Sequence, residues 1–348
     1  MQFMKKLLSL FILGLSISSV SWAQDKETPY FVKTYKSSEI KNLNVRTSGG
    51  GISVTGGDGD ETRVEVYLKV NNGGSKLSKD EIENRLKEYE LSVKKEGETI
   101  LCIAKRKSES NWNNWKNGLS ISFKIFTPEK ISTDLVTSGG GISLKNLNGN
   151  LGFSTSGGGL KLQNLGGIIK GRTSGGGINI SGCRDNIDVA TSGGGIDAEN
   201  CNGDIKLTTS GGGLTLKKLN GSIKATTSGG GIRAEEISGD FVTSTSGGSI
   251  KLEDITASVK ASTSGGGIDA DIKSLGKYLS LSTSAGSIHV RMPMDKGMDL
   301  DLDGQRVKVP NLSKFNGTVE KDRVKGLLNG GGIAVRMNAN SGGVYINE

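Results

Sequence analysis

Apolar side chains recur along this chain every 18 residues, and within each period they fall at alternating positions. Take the threonine of a repeated Thr-Ser-Gly-Gly-Gly run as position 1. Position 6 then reads Ile142, Leu160, Ile178, Ile196, Leu214, Ile232, Ile250 and Ile268. Position 8 reads Leu144, Leu162, Ile180, Ala198, Leu216, Ala234, Leu252 and Ala270. Position 15 reads Leu151, Ile169, Ile187, Ile205, Ile223, Phe241 and Val259. Alternation is the strand period, because successive side chains of an extended chain point to opposite faces. Positions 7, 9 and 16 are mostly charged or polar, as the outward faces of such strands require. Each period therefore predicts two short strands with one face turned inward.

The corner serines Ser138, Ser156, Ser174, Ser192, Ser210, Ser228, Ser246 and Ser264 keep that register without slipping. Ser284 follows after 20 residues, which places a two-residue insertion near Lys273 to Lys277. Ser48 marks an early copy, and Gly330-Gly331-Gly332-Ile333 a late one. A fixed period of this length is the mark of stacked repeats, each too small to bury its own apolar face. Positions 6 and 15 lie nine apart, so each coil has two half-turns. A left-handed hexapeptide helix would need apolar residues at positions 12 and 18, which here are polar (Asn148, Arg184, Asn202; Ser154, Thr208, Thr226). A calcium-binding β-roll would need an aspartate two residues before the inward apolar position, where Gly140, Gly158 and Gly176 stand. Stacked coils pair in parallel, and parallel crossovers are right-handed in nearly all folds. The expected fold is all-β: a right-handed parallel β-solenoid of 18-residue coils with a small α+β N-terminal cap. The glycine triplet reads as a tight corner that needs φ > 0 and no bulk between stacked backbones.

Both ends depart from the repeat, as caps over open sheet edges must. Glu61 to Val70 reads as a strand. Ser78 to Tyr89 reads as a helix with Ser78 and Glu81 as a capping box and Ile82, Leu86 and Tyr89 on one face. Leu91 to Val93, Thr99 to Ala104 and Leu119 to Ile125 alternate like strands, as do Met298 to Asp303 and Val307 to Val309. At the start of the chain, Lys5 and Lys6 precede the apolar run Leu7 to Ile17 and a small-x-small site, Ser21-Trp22-Ala23. That is the pattern of a secretory signal peptide, too short to span a bilayer. The expected organisation is a signal peptide at 1–23, an N-terminal strand and helix capping region with the first coil at 24–130, the regular solenoid at 131–292, and C-terminal irregular strands and cap at 293–348.

The Val45-Arg46-Thr47-Ser48-Gly49-Gly50-Gly51-Ile52-Ser53-Val54 strand, Phe126-Thr127-Pro128 leading into the regular coils, the later Thr-Ser-Gly-Gly-Gly-Ile copies and the Gly-rich end at 329–335 carry a resemblance. They resemble a bacterial putative-adhesin family of unknown function built from Gly-rich β-solenoid repeats. The likeness covers nearly all of the chain beyond the signal peptide. It implies an exported β-solenoid in the periplasm, at the cell surface or outside the cell, and it transfers no catalytic residue.

Charge adds little: 44 Lys+Arg against 36 Asp+Glu, with two of the lysines in the signal peptide, is far from a nucleic-acid-binding balance. Chemistry is sparse too. The single histidine, His289, sits at an outward strand position, so no Ser-His-Asp arrangement can be assembled. No zinc spacing appears, and the glycine triplets lack the Gly-Lys-Ser/Thr ending of a phosphate loop. Asp197 and Asp269 are four coils apart, about 19 Å at ~4.8 Å per coil, too far for a glycosidase pair. No enzyme, cofactor or metal is expected. Two surface features are candidate binding residues. Lys170, Lys206, Lys224 and Lys260 share position 16, with Asp188 between the first two, as a stripe for an anionic glycan or as a solvated ladder. Trp112 and Trp115 stand in an Asn-rich loop, able to stack on sugars or to lid the first coil. Cys183 and Cys201 share the otherwise apolar position 11, which predicts buried, stacked thiols, although an exported chain permits a bridge.

The functional expectation is a structural, adhesive or surface-binding module without catalysis. Its partners would be envelope glycans or other surface proteins, not nucleic acid, and it would have no membrane span once the signal is removed. A polysaccharide-binding or polysaccharide-cleaving β-helix protein is one alternative. An ice-binding solenoid using the threonine column is another.

Overall fold

The structure, a computed structural model, describes residues 28–71, 78–107, 118–310 and 312–348. The segment read as a signal peptide and the loop with Trp112 and Trp115 lie outside the described residues. What is described is nearly all β, with 22 strands, one α-helix (Lys79–Leu86) and one short 3-10 turn.

From Ser132 to Ala270, each layer pairs in parallel with the layer 18 residues away. Ile142 faces Leu160, Leu160 faces Ile178, Ile178 faces Ile196, and the register continues through Leu214, Ile232, Ile250 and Ile268. The inward columns are those that alternation picks out. Ile142, Ile178, Ile196 and Ile232 are at most 2% exposed, while Lys161, Asp197 and Arg233 are exposed. The insertion falls between Leu275, which faces Ala257, and Leu279, which faces Val259. Cys183 and Cys201 are free and buried in the position-11 column. Bonding to Cys201 and then burial push the Cys183 thiol up, and burial pushes Cys102 up to about 12.

The glycine corner has a different cause from the one read in the sequence. None of the glycines from Gly139 to Gly267 that form these triplets has positive φ. The reason is contact. A Cβ on the middle glycine would sit 2.2 Å from the Gly194 carbonyl oxygen at Gly212, and 2.2–2.4 Å from the equivalent oxygen at Gly140, Gly158, Gly176, Gly230, Gly248 and Gly266. The third glycine has more room, and Ser249 and Ser287 replace it in two layers. The left-handed corners lie elsewhere in the coil. Asn146, Asn164, Asn200, Lys218, Glu236 and Asp254 at position 10 have φ of 53–55°. Gly330, Gly331 and Gly332 have φ of 88°, 85° and 145°, so the apparent late copy is a different turn. The true last corner runs from Ala339, which faces Thr283, to Val344, which faces Ile288.

The corner threonine is the second half of this joint. Thr155 is buried, and its hydroxyl donates to the Gly140 carbonyl of the preceding layer at 2.7 Å and accepts from the Gly158 N–H of its own layer at 3.3 Å. Thr173, Thr191, Thr209, Thr227, Thr245 and Thr263 repeat both bonds. The threonine column therefore faces inward and offers no outward array to ice. That corrects the ice-binding alternative: these hydroxyls are spent on stitching layers together. Gly212→Ala is expected to cost more than the ~1–3 kcal/mol typical of overpacking, because rigid backbone stands in the way. Gly213→Ser should be near neutral. Denaturant unfolding checks both, and equal losses would contradict the account.

Parallel pairing does not extend to the ends. Glu61–Val70 is antiparallel to both Phe31–Lys36 and Leu119–Pro128, and Tyr89–Glu96 is antiparallel to Thr99–Arg106. At the other end Arg323–Leu328 is antiparallel to Met298–Lys308 and to Phe315–Val319. At both ends the order of layers departs from the order of the chain. The early copy, Asn42–Thr47 with Ile52–Gly57, lies between the Thr99–Arg106/Leu119–Pro128 layer and the layer that begins at Ser132. Likewise Ile333–Asn347 lies between Ile268–Thr283/Ile288–Arg291 and Met298–Lys308. The helix keeps the Ser78/Glu81 capping box but ends at Leu86. Tyr89 opens the next strand instead, and its buried hydroxyl accepts the Leu119 N–H at 2.8 Å.

Candidate functional site

A concavity forms where the antiparallel end meets the regular layers. The groove holds about 1210 Å³. Two rows of residues build it. Along the first row, Glu65, Lys124, Ser53, Ser143, Lys161 and Asn179 are successive neighbours across the sheet, at alternating outward positions of their strands. The second row begins at Tyr67, which faces Ser122, and continues over the third glycines Gly51, Gly141, Gly159 and Gly177. Ser122 joins the two parts, its Oγ accepting the Gly51 N–H at 3.0 Å. The Gly141, Gly159 and Gly177 N–H groups have no acceptor among the described residues, and all three glycines are exposed. The floor is thus bare backbone with donors turned to solvent, and Lys69 joins the wall from the end of the antiparallel strand.

The groove's charge is uneven. Glu65 is the one carboxylate among its described lining residues, and it is already engaged by Arg63 Nε at 2.8 Å and by the Tyr67 hydroxyl at 2.7 Å. Lys69, Lys124 and Lys161 share the same lining. Further along, the first row and the outward row two residues on carry charges that pair instead: Lys217 with Glu235 at 3.1 Å, Arg233 with Glu253 at 2.6 Å, and Lys251 with Glu253 at 2.8 Å. The bond from Arg291 holds the Asp271 carboxyl below the usual range. Such exposed pairs contribute little individually.

The lysines read from the sequence lie on the other arm of the coil. Lys170, Lys206, Lys224 and Lys260 are all exposed. Lys170 faces Asp188, which faces Lys206, and Val242 separates Lys224 from Lys260, so Lys206 and Lys224 are the adjacent cations. Asp188 accepts from Arg172 at 3.0 Å and lies 3.5 Å from Lys206. These bonds keep its carboxyl ionised below the ordinary range. The stripe is a mixed ladder. His289 is exposed, 3.4 Å from Asp269 and stacked on Tyr345 with centroids 4.8 Å apart. Sequence reasoning missed the groove because its wall comes from Glu61–Val70, whose placement beside Leu119–Pro128 has no repeat to announce it.

No protein-family model and no curated protein matches the chain. Among solved structures, it is similar to a putative cell adhesion protein from Clostridium sporogenes at 12% identity and a TM-score of 0.20, over 92% of this chain and 99% of that one. It is also similar to a putative adhesin from Bacteroides fragilis at 13% identity and a TM-score of 0.22, over 91% of this chain and 96% of that one. At these scores the likeness carries no weight for mechanism.

Proposed function

We propose that the chain is an exported, non-catalytic adhesive or surface-binding module of the cell envelope, built as a right-handed parallel β-solenoid. The observation that carries this reading is the sameness of the layers. Nine corner threonines, from Thr137 to Thr283, make the same bond to the neighbouring layer, so the chain is committed to a stiff stack with long outer faces. Support for a non-catalytic role comes from the acids: Asp197 and Asp269 lie four layers apart, beyond the reach of a carboxylate pair. No described helix is long and apolar enough to cross a membrane. Envelope glycans or other surface proteins are the proposed partners.

The test is binding of the chain without its leader to isolated envelope fractions and to an immobilised glycan panel, alongside polysaccharide cleavage assays. Saturable binding without turnover is expected. Turnover abolished by one carboxylate substitution would overturn the reading in favour of a polysaccharide-cleaving enzyme.

A further inference from the structure

We infer that the groove between Glu61–Val70 and the glycine corners binds a short extended segment of an anionic polysaccharide, one bearing carboxylate or sulfate groups. The inference rests on the surface-binding reading above and assigns it a site and a ligand class.

Three features converge on this chemistry. Lys124 and Lys161 stand in one groove where Glu65, the one carboxylate among the described lining residues, is already taken by Arg63 and Tyr67. Lys161 makes no ion pair among the described residues, and Lys124 lies 5.1 Å from the centre of the Phe126 ring, a weak contact for an exposed ammonium. Lys124 and Lys161 are three sheet steps apart through Ser53 and Ser143, about 14 Å at ~4.8 Å per step. That separation suits two anionic groups on a linear oligomer and is too long for one small anion. Between them lie the hydroxyls of Ser53 and Ser143 and the donor N–H groups of Gly141 and Gly159, all partners for sugar hydroxyls and ring substituents.

The row also fixes where the ligand stops. Asn179 is followed by the exposed Asp197, whose charge opposes an anionic chain continuing in that direction. An extended peptide is the lesser fit, because strand-addition sites need pockets for alternate side chains. This floor is glycine backbone, with Ile52, Phe123, Ile142 and Leu160 beneath it at most 2% exposed.

The test titrates the protein without its leader with a short galacturonate oligomer, a heparin-derived oligosaccharide and a neutral galactose oligomer of equal length. Two double variants accompany it. Lys124→Ser with Lys161→Ser places in the row the residue that Ser53 and Ser143 already put there, so the fold is retained. Lys206→Ser with Lys224→Ser removes the same charge from the other arm. Binding of at least one anionic oligomer but not the neutral one is expected, weakened tenfold or more by the first pair, unchanged by the second, and lost as salt rises. The assignment is overturned if neither anionic oligomer binds, if the two double variants behave alike, or if polyglutamate competes as well as the oligosaccharides do. If envelope fractions still bind in any of those cases, the groove assignment falls and the surface-binding reading stands. If nothing binds the protein, both fall.

Discussion

Deleting residues 333–348 is expected to open the C-terminal end of the stack and make the protein associate beyond the state of the full chain. The strand removed is an inner layer. It pairs with Tyr278–Thr283 and Ile288–Arg291 on one side and with Met298–Lys308 on the other. Val335, Met337, Val344 and Ile346 are at most 3% exposed. At about 1.5–3 kcal/mol per large apolar side chain, as an upper bound, their loss outweighs what the cap hairpin alone supplies. Without it, Met298–Lys308 keeps only its antiparallel partner Arg323–Leu328, and two regular parallel edges face solvent, the template that invites edge-to-edge pairing. Limited proteolysis should cut within 292–332 first, and size-exclusion chromatography should show concentration-dependent oligomers. A truncated chain that keeps the full chain's association state and stays fully protected would refute the tucked-strand account.

Ile196→Asp is expected to have the largest effect of any single substitution. Ile196 is 0% exposed, with Ile178 and Leu214 stacked against it from the adjacent layers. A carboxylate there has no partner and cannot reach water, placing the change among the rare ones that cost more than about 4 kcal/mol. Because neighbouring layers hold one another, damage at the middle should spread along the stack. Hydrogen exchange is the measurement: protection should fall in the layers on either side of residue 196. Asp197→Ser, one residue on and exposed, should change stability by no more than about 0.5 kcal/mol. If the two variants unfold at the same denaturant concentration, the inward and outward assignments are wrong.

The inward ladders were legible because eight copies of one pattern leave no freedom of register, and positions 6, 8, 11 and 15 lie inward as alternation implies. Two things could not be read. Threonine is ambivalent between core and surface, so only the bonds from Thr155 and its equivalents show that it stitches layers. Glycine hides its reason in the same way: conformational freedom and lack of room look identical in a sequence. Position 13 would have been the place to argue freedom. Gly167, Gly203, Gly221 and Gly239 are left-handed there, and Asp185 holds the same corner at φ 77° with its carboxylate accepting the Gly167 N–H at 2.8 Å. The groove depends on a non-repeating strand crossing to a distant partner, which periodicity does not encode. It was therefore the lysines at position 16, not Lys124 or Lys161, that stood out.

The tucked layers also set a timetable. A chain threaded through a membrane with its N-terminus leading exposes Asn42–Gly57 early, yet that layer cannot be flanked on both faces until Thr99–Pro128 and Ser132–Thr155 have followed it across. At the far end the sheet stays open until Ile333–Asn347 arrives to wedge itself in place. The middle layers can stack as they emerge, one upon the last, while both closures wait. An unfinished stack is thus most vulnerable at its two ends, and its final strand acts as the latch that ends that exposure.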